Sequence, residues 1–436
     1  MKIRKKLLRT TMIVAAGLIT CFATPTSHAG TTRWVGGCHT GSYATISAAV
    51  AVSIAGDTIN VCPGYYAEQV VINNLNGLTL NGVATTSMGI TTYSAVIVPP
   101  ASGMVPNGSI YDTDDGPGNA SAQIIVQNSL GVTIEHITVD AQGSQTCSNG
   151  ILIGIYFQNS SGTVTNSAAR NQITSQQGDQ CGWGIATESN SGSPTLTVSN
   201  SSVHNFQKNG IVARGNNMGG PTLTAMGNTV IGSGLVGAND AAQNGIEIAF
   251  GATGTVTGNY VADVLYPNNS AGGTGILFYA TSGSPKATTN VVESSNVGIG
   301  IYTDTNYGGG GTGATISSNH IGGTQMFDGI DLCGNDEIAE SNVIYNSANS
   351  AVHLDDACGS GSGSASTVKS NTINESCAGI LTGTGTSTDT TAPNTYSNVA
   401  YEILGGDSCT LPSGPNNQVV GKSGEQLAAK SRKPRP

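Results

Sequence analysis

From about residue 123 to residue 405, apolar residues alternate with polar ones in short runs closed by turn residues. A two-residue period points to β-strands rather than helices. The runs also recur. Glycine followed by isoleucine appears at Gly150-Ile151, Gly184-Ile185, Gly210-Ile211, Gly245-Ile246, Gly275-Ile276, Gly300-Ile301, Gly329-Ile330 and Gly379-Ile380, with Ala351-Val352 in the same role. Between these lie Ser/Thr-rich stretches carrying Asn200, Asn228, Asn259, Asn290, Asn319, Asn342 and Asn371, at separations of 28, 31, 31, 29, 23 and 29 residues. A period in this range predicts a solenoid. In Gly-Ile-x, alternation sends Ile inward and x outward. The expected inner ladder is therefore Ile151, Ile185, Ile211, Ile246, Ile276, Ile301, Ile330, Val352 and Ile380. Each buried aliphatic in such a ladder contributes about 1.5–3 kcal/mol. The asparagines fall at a bend, and a second ladder is expected from their stacked amides.

The stretch before the repeats differs. Residues 42–55 are largely apolar and suit a short helix ended by Gly56. Residues 57–61 read as a strand and Pro63-Gly64 as a turn, with further strands at 70–72 and 78–80. Residues 99–121, rich in Pro, Gly and Asp, read as a long excursion loop. A helix in this place would close the open end of a solenoid. The Gly-Ile and Ser-x-Asn-x-Ile repeats carry a family resemblance. So do Tyr43-Ala44-Thr45-Ile46, Ala55-Gly56-Asp57-Thr58-Ile59 and Pro63-Gly64-Tyr65-Tyr66-Ala67-Glu68. Together they resemble the right-handed parallel β-helix of the pectin-lyase-like superfamily over residues 35–405. The resemblance implies an all-β solenoid with a short N-terminal capping helix. That fold hosts lyases, hydrolases, esterases, epimerases and non-enzymatic adhesins, so function has to be argued from a site.

Charge and cysteine usage narrow the setting. Residues 1–29 read as a secretory signal peptide, with a basic start, an apolar run from Met12 to Ala23 and Ser27-His28-Ala29 as the cleavage site. The run is too short to span a bilayer, and no later stretch reads as a membrane span. Cys21 offers a rival lipid-attachment reading, which Thr20 before it fits poorly. Residues 30–420 are then the β-helix and 421–436 a basic, disordered tail. The expected location is secreted or periplasmic. Setting Cys21 aside leaves eight cysteines, an even number that favours disulfides in an exported chain. A solenoid confines pairing to neighbouring coils, which predicts Cys38–Cys62, Cys147–Cys181, Cys333–Cys358 and Cys377–Cys409. Between the basic ends, the body holds six basic against 25 acidic residues, a net charge of −19. Such a surface repels phosphates and excludes nucleic acid as a partner.

In-register stacking predicts two outward rows. The first is Ala186, Val212, Glu247, Leu277, Tyr302, Asp331 and His353. The second is Glu188, Arg214, Ala249, Tyr279, Asp304, Cys333 and Asp355. A stripe of tyrosines and carboxylates suits a polysaccharide or cell-surface glycan, because tyrosine faces pack on sugar rings and carboxylates accept hydroxyl protons. Asp331, His353 and Asp355 are the candidate catalytic group. Asp331 and His353 fall on adjacent coils about 5 Å apart, and a carboxylate beside an imidazole fixes its tautomer for acid–base work. Tyr279, Tyr302, Asp304, Glu247 and Arg214 are the candidate substrate-binding residues. Paired carboxylates suit glycoside hydrolysis, where about 5–5.5 Å implies retention and about 6.5–9.5 Å inversion. No motif demands a cofactor; Ca²⁺ is the ion these carboxylates suit. Asp112, Asp114 and Asp115 form a second acidic cluster with the same option.

Asp355-Asp356 resembles the Asp pair of polygalacturonases, whose Gly-His-Gly and Arg-Ile-Lys motifs are absent. Residues 64–68 resemble a segment of pectin methylesterases, whose Gln-Asp-Thr and Asp-Phe motifs are absent, and are assigned to the opening coil. Pectate-lyase-like enzymes add an Arg or Lys base, and only Arg214 stands on this face, several coils from Asp331. The sequence leads to a polysaccharide lyase or glycoside hydrolase, with a non-catalytic glycan-binding or surface protein as the other reading.

Overall fold

The computed structural model describes residues 30–87, 90–111, 118–143, 146–147, 150–174, 181–216, 220–235, 241–266, 272–304, 313–323, 327–356, 365–383, 388–389 and 392–411. The expected signal and tail, Asp112, Asp114, Asp115 and Cys358 lie outside the described residues.

Each coil lays down three short strands. Thr253–Thr257 is followed by Tyr260–Leu265 and Thr274–Tyr279, after which Lys286–Thr288 stacks on Thr253–Thr257 in parallel. Among the described residues, repetition builds a first sheet of 13 strands, a second of 12, and a third of 12 parallel strands to which Gly108–Ser109 adds an antiparallel edge. This is the parallel β-helix that the alternation and the period predict. Its core is one continuous apolar cluster from Val35 to Ile380.

The inner ladder of the third sheet runs Ile155, Ile185, Ile211, Ile246, Ile276, Ile299, Ile330, Val352 and Ile380. Two expected members fall elsewhere. Ile151 packs in a separate cluster with Ile110, Tyr156 and Trp183. Ile301 occupies the neighbouring inner row, between Phe278 and Leu332. Close approach of backbones decides which glycine stacks. A Cβ on Gly245 would lie 2.5 Å from the Gly275 carbonyl oxygen, and one on Gly275 would lie 2.7 Å from that of Gly298. Gly298, not Gly300, therefore belongs to the stack, and the register moves by two residues there.

The asparagine ladder forms as expected at the bend between the first and second sheets. The backbone N–H of Asn228 donates to Asn259 Oδ1 at 2.9 Å, that of Asn259 to Asn290 at 3.0 Å, and the chain of bonds continues through Asn319 and Asn342 to Asn371 and Asn394. Asn200 is not in it. Asn200 takes the left-handed turn position at φ 48°, and Ser201 and Ser167 occupy the ladder in its place.

The capping helix is Ile46–Val50, shorter than the expected 42–55. Thr45 caps it, and the Glu68 carboxylate accepts from the N–H groups of Ile46 (2.8 Å) and Ser47 (2.9 Å). Beyond it, Asp57 accepts from Ile54 N, Thr31 N and Arg33, which draws residues 52–57 into a turn. Cys38–Cys62, Cys147–Cys181 and Cys377–Cys409 are bonded as expected. Cys333 is also disulfide-bonded. The described part of the 99–121 excursion does not stand free. It lies on the outer face of the third sheet, with Asn107 bonded to both backbone groups of Ala122 and with Ile110 buried.

Candidate active site on the third sheet

The stacked glycine that makes the third sheet possible also sets its outer face. Pairing skips this residue in every coil: Asp328 pairs with Ser350, and Ile330 with Val352. Strict alternation would place Asp328 on the same side as Ile330. The break at Gly329 lets it join the outward side chains instead. Asp331 and His353 are direct partners in the next outward row. Asp328, Asp331 and His353 therefore converge: His353 Nδ1 lies 3.5 Å from Asp328 Oδ2 and 3.8 Å from Asp331 Oδ1. The contact is closer than one coil spacing because both carboxylates lean onto the ring.

Tyr302 departs from its expected row. It aligns with Tyr279 and Cys333, while Gly300 stands beside Asp331. The absence of a side chain at Gly300 makes room for the Tyr302 ring, which would meet a Cβ there at 2.7 Å. Its hydroxyl reaches across and donates to Asp331 Oδ2 at 2.8 Å. Asp304 faces Tyr279, whose hydroxyl donates to it at 2.8 Å. Asp355 follows the His353 strand, its N–H bonded to Leu332 O, and acts on His353 through its charge. Asp328 is anchored by Asn349 Nδ2 (2.8 Å) and by Ser350 N (3.1 Å) and Oγ (2.7 Å).

Burial lowers the affinity of an imidazole for its proton. Here the hydrogen-bonding and charge of Asp328, then Asp331 and Asp355, outweigh it and push His353 up to about 9. Glu337, in the turn after Asp331, moves the same way for another reason. Burial raises it to about 8, the charges of Asp331 and Asp336 add to this, and hydrogen bonds from Ser366 and Gly334 oppose it. At neutral pH the site thus holds a cationic His353 and a protonated Glu337. Asp328 and Glu337 were invisible to alternation, Asp328 because of the glycine break and Glu337 because it lies between sheets.

Arg214 and Glu247 do not join this group. Arg214 is buried between the rings of Trp183 (5.1 Å) and Phe250 (4.8 Å) and pairs with Glu247 at 3.0 Å. Asn244 donates to the other Glu247 oxygen at 2.6 Å. Glu188 is covered by the excursion, accepting from Tyr156 and from the backbone of Tyr111. The expected open stripe is therefore roofed at both ends. Over the cluster the roof is the chain itself after Tyr401–Gly405. Gly406 N bonds Thr382 O at one end of the strands, while Cys409 bonds Cys377 and donates from its N–H to Asn349 Oδ1 at the other. Those anchors bring Asp407 close enough to feel the charges of Asp356, His353 and Asp355; Asp331 is 0%, His353 4% and Asp355 3% exposed.

The nitrogen and oxygens of His353, Asp328 and Asp331 fall within 4.8 Å of one another. Ca²⁺ takes six to eight oxygen ligands, and an imidazole flanked by two carboxylates is not that set. The donor chemistry matches an ion-paired imidazolium better.

Fold and site together define a β-helix with a charged, roofed cluster on one sheet. No family model and no curated protein matches the sequence. Among solved structures, the chain is similar to the GH136 lacto-N-biosidase from Eubacterium ramulus, with 10% identity, a TM-score of 0.57 and coverage of 86% of this chain and 68% of that one. It is also similar to the A-module of the Azotobacter vinelandii mannuronan C-5 epimerase AlgE4, with 16% identity, a TM-score of 0.50 and coverage of 84% and 93%. At such identities the likeness establishes the fold alone, a right-handed parallel β-helix. Among the described residues no helix is long and apolar enough to cross a membrane.

Proposed function

We propose that this is an extracytoplasmic, polysaccharide-active protein, a lyase or glycoside hydrolase whose acid–base group is Asp331, His353 and Asp355. The observation that supports it is the gathering of titratable groups at one point: Asp331 accepts from the Tyr302 hydroxyl and lies 3.8 Å from the His353 ring, while His353 and Glu337 are pushed up and keep their protons. Perturbed titratable groups gathered in this way mark candidate acid–base sites. Asp331 accepts the proton. His353 donates from Nε2, the nitrogen turned away from the two carboxylates and without a hydrogen-bond partner among the described residues. Tyr302, Tyr279 and Asp304 position the sugar, and Asp355 sustains the charge on His353. The two similar structures named above are a lacto-N-biosidase and a mannuronan epimerase, which agrees with a glycan substrate. The three disulfides suit an oxidising compartment.

Burial of the cluster favours a second reading, glycan binding without turnover. Turnover requires the segment over His353, tethered by Cys377–Cys409, to move aside. The test incubates the protein, oxidised and mildly reduced, with uronic-acid and neutral polysaccharides, following ultraviolet absorbance from unsaturated ends and the appearance of reducing ends. Turnover that disappears in Asp331→Asn and His353→Gln is expected. Turnover untouched by both substitutions would sink the assignment, and binding without turnover in either redox state would establish the second reading.

A further inference from the structure

The second sheet carries a trough that plays no part in the cluster above. Its floor is a row of four outward residues in register: Thr138, Ala168, Ser202 and Thr229. All are small, whereas the next member of the row is Tyr260. At the opposite end Tyr93 stacks on His136, with ring centroids 3.9 Å apart and planes 7° from parallel. Along one side run the turn residues Asn166, Asn200 and Gly227, at φ 47°, 48° and 64°. These residues, Tyr260 apart, line an open cavity of about 360 Å³. The trough exists because serine replaces asparagine in the bend ladder at 167 and 201 and the floor side chains shrink in the same coils.

Its chemistry is unlike the rest of the surface. Among the described residues none that lines it is a carboxylate, a lysine or an arginine, although the body carries −19 overall. Tyr93 is 45% exposed and Tyr260 39%, so each end offers an aromatic face. The side-chain amides of Asn166 and Asn200 point out from the turn without a hydrogen-bond partner among the described residues. Three coil steps of about 4.8 Å make the floor roughly 14 Å long.

We infer that this trough binds a neutral oligosaccharide as a second site, remote from the acid–base cluster. One ring lies against Tyr93, the chain runs along the small floor residues, and its hydroxyls bond Asn166 and Asn200. Aromatic faces flanking uncharged amides and hydroxyls are what a neutral sugar requires, and a carboxylated glycan would find no lysine or arginine in the lining to pair with. This assignment does not depend on the cluster being catalytic.

Titration calorimetry on the full chain tests it, with the hexaoses of cellulose, laminarin, mannan and xylan as probes and hexagalacturonate as the acidic control. At least one neutral hexaose should bind the wild type. Tyr93→Ala, or Ser202→Trp filling the floor, should weaken that binding about tenfold or more, and Tyr93→Trp should retain it. Asp331→Asn should leave it unchanged, which separates this site from the cluster. Melting curves confirm that each variant is folded. The inference is overturned if no neutral hexaose binds, if folded Tyr93→Ala and Ser202→Trp bind like the wild type, or if hexagalacturonate competes for the same residues.

Discussion

Raising the pH should loosen this protein, and His353 makes the effect measurable. In the unfolded chain its imidazole titrates near 6.5, and in the fold it is held up to about 9. That gap of some 2.5 units, at about 1.36 kcal/mol each, corresponds to a contribution on the order of 3 kcal/mol. Because the folded value is the higher one, the contribution is complete below pH 6.5 and is lost as pH rises through 9. Glu337 acts in the same sense, from 4.5 unfolded to about 8 folded, so its contribution disappears as pH passes 8. Asp57 and Asp140 are lowered from 3.8 and act only in acid, outside this window. Thermal melting between pH 6 and 9.5 should show a fall in stability that His353→Gln largely flattens and Glu337→Gln reduces. A solenoid opens locally, so amide exchange in Asp328–Cys333 and Ser350–Leu354 is the finer readout. Equal stability at pH 6.5 and 9, or an unchanged slope in His353→Gln, would refute the placement of the imidazolium between Asp328 and Asp331.

Other consequences concern the scaffold. Asn290 takes part in four side-chain hydrogen bonds, with Asn259 N and Nδ2, Val256 O and Asn319 Oδ1, so Asn290→Ala should cost about 3–5 kcal/mol in denaturant unfolding. Asn200→Gly, off the ladder, should change stability by less than about 0.5 kcal/mol; equal effects at the two positions would mean that the amide stack does not hold the bend. Gly245→Ala drives a methyl to 2.5 Å from the Gly275 carbonyl and should destabilise by about 1–3 kcal/mol, seen as a lowered melting temperature. Arg214→Ala strands Glu247 in the interior at a cost of about 3–5 kcal/mol, and adding Glu247→Gln should recover part of it in a double-mutant cycle.

Much of the architecture was readable because a solenoid brings residues one period apart into contact. The Gly-Ile and Asn repeats, the three disulfides and the pairing of Asp331 with His353 all follow from that one rule. Ambiguity entered where the text offers two equivalent choices. Gly298-Ile299-Gly300-Ile301 contains the motif twice, and only the close backbone approach at Gly298 selects between them. The shift moved Tyr302 to the row of Tyr279 and left Gly300 beside Asp331, yet the long phenol still reaches the carboxylate. Asp328 was hidden because the glycine break reverses the two-residue alternation on which inward and outward assignments rest.

The sequence by itself determined the coil, its period, its apolar ladder and which polar residues share a sheet, since each depends on spacing along the chain. Tertiary structure decided which of those residues see solvent. Residues 405–409 folding back over His353, and the excursion lying over Glu188, are contacts between distant segments that no local period encodes. Burial holds the proton on Glu337, while the carboxylates gathered around His353 hold its proton against burial.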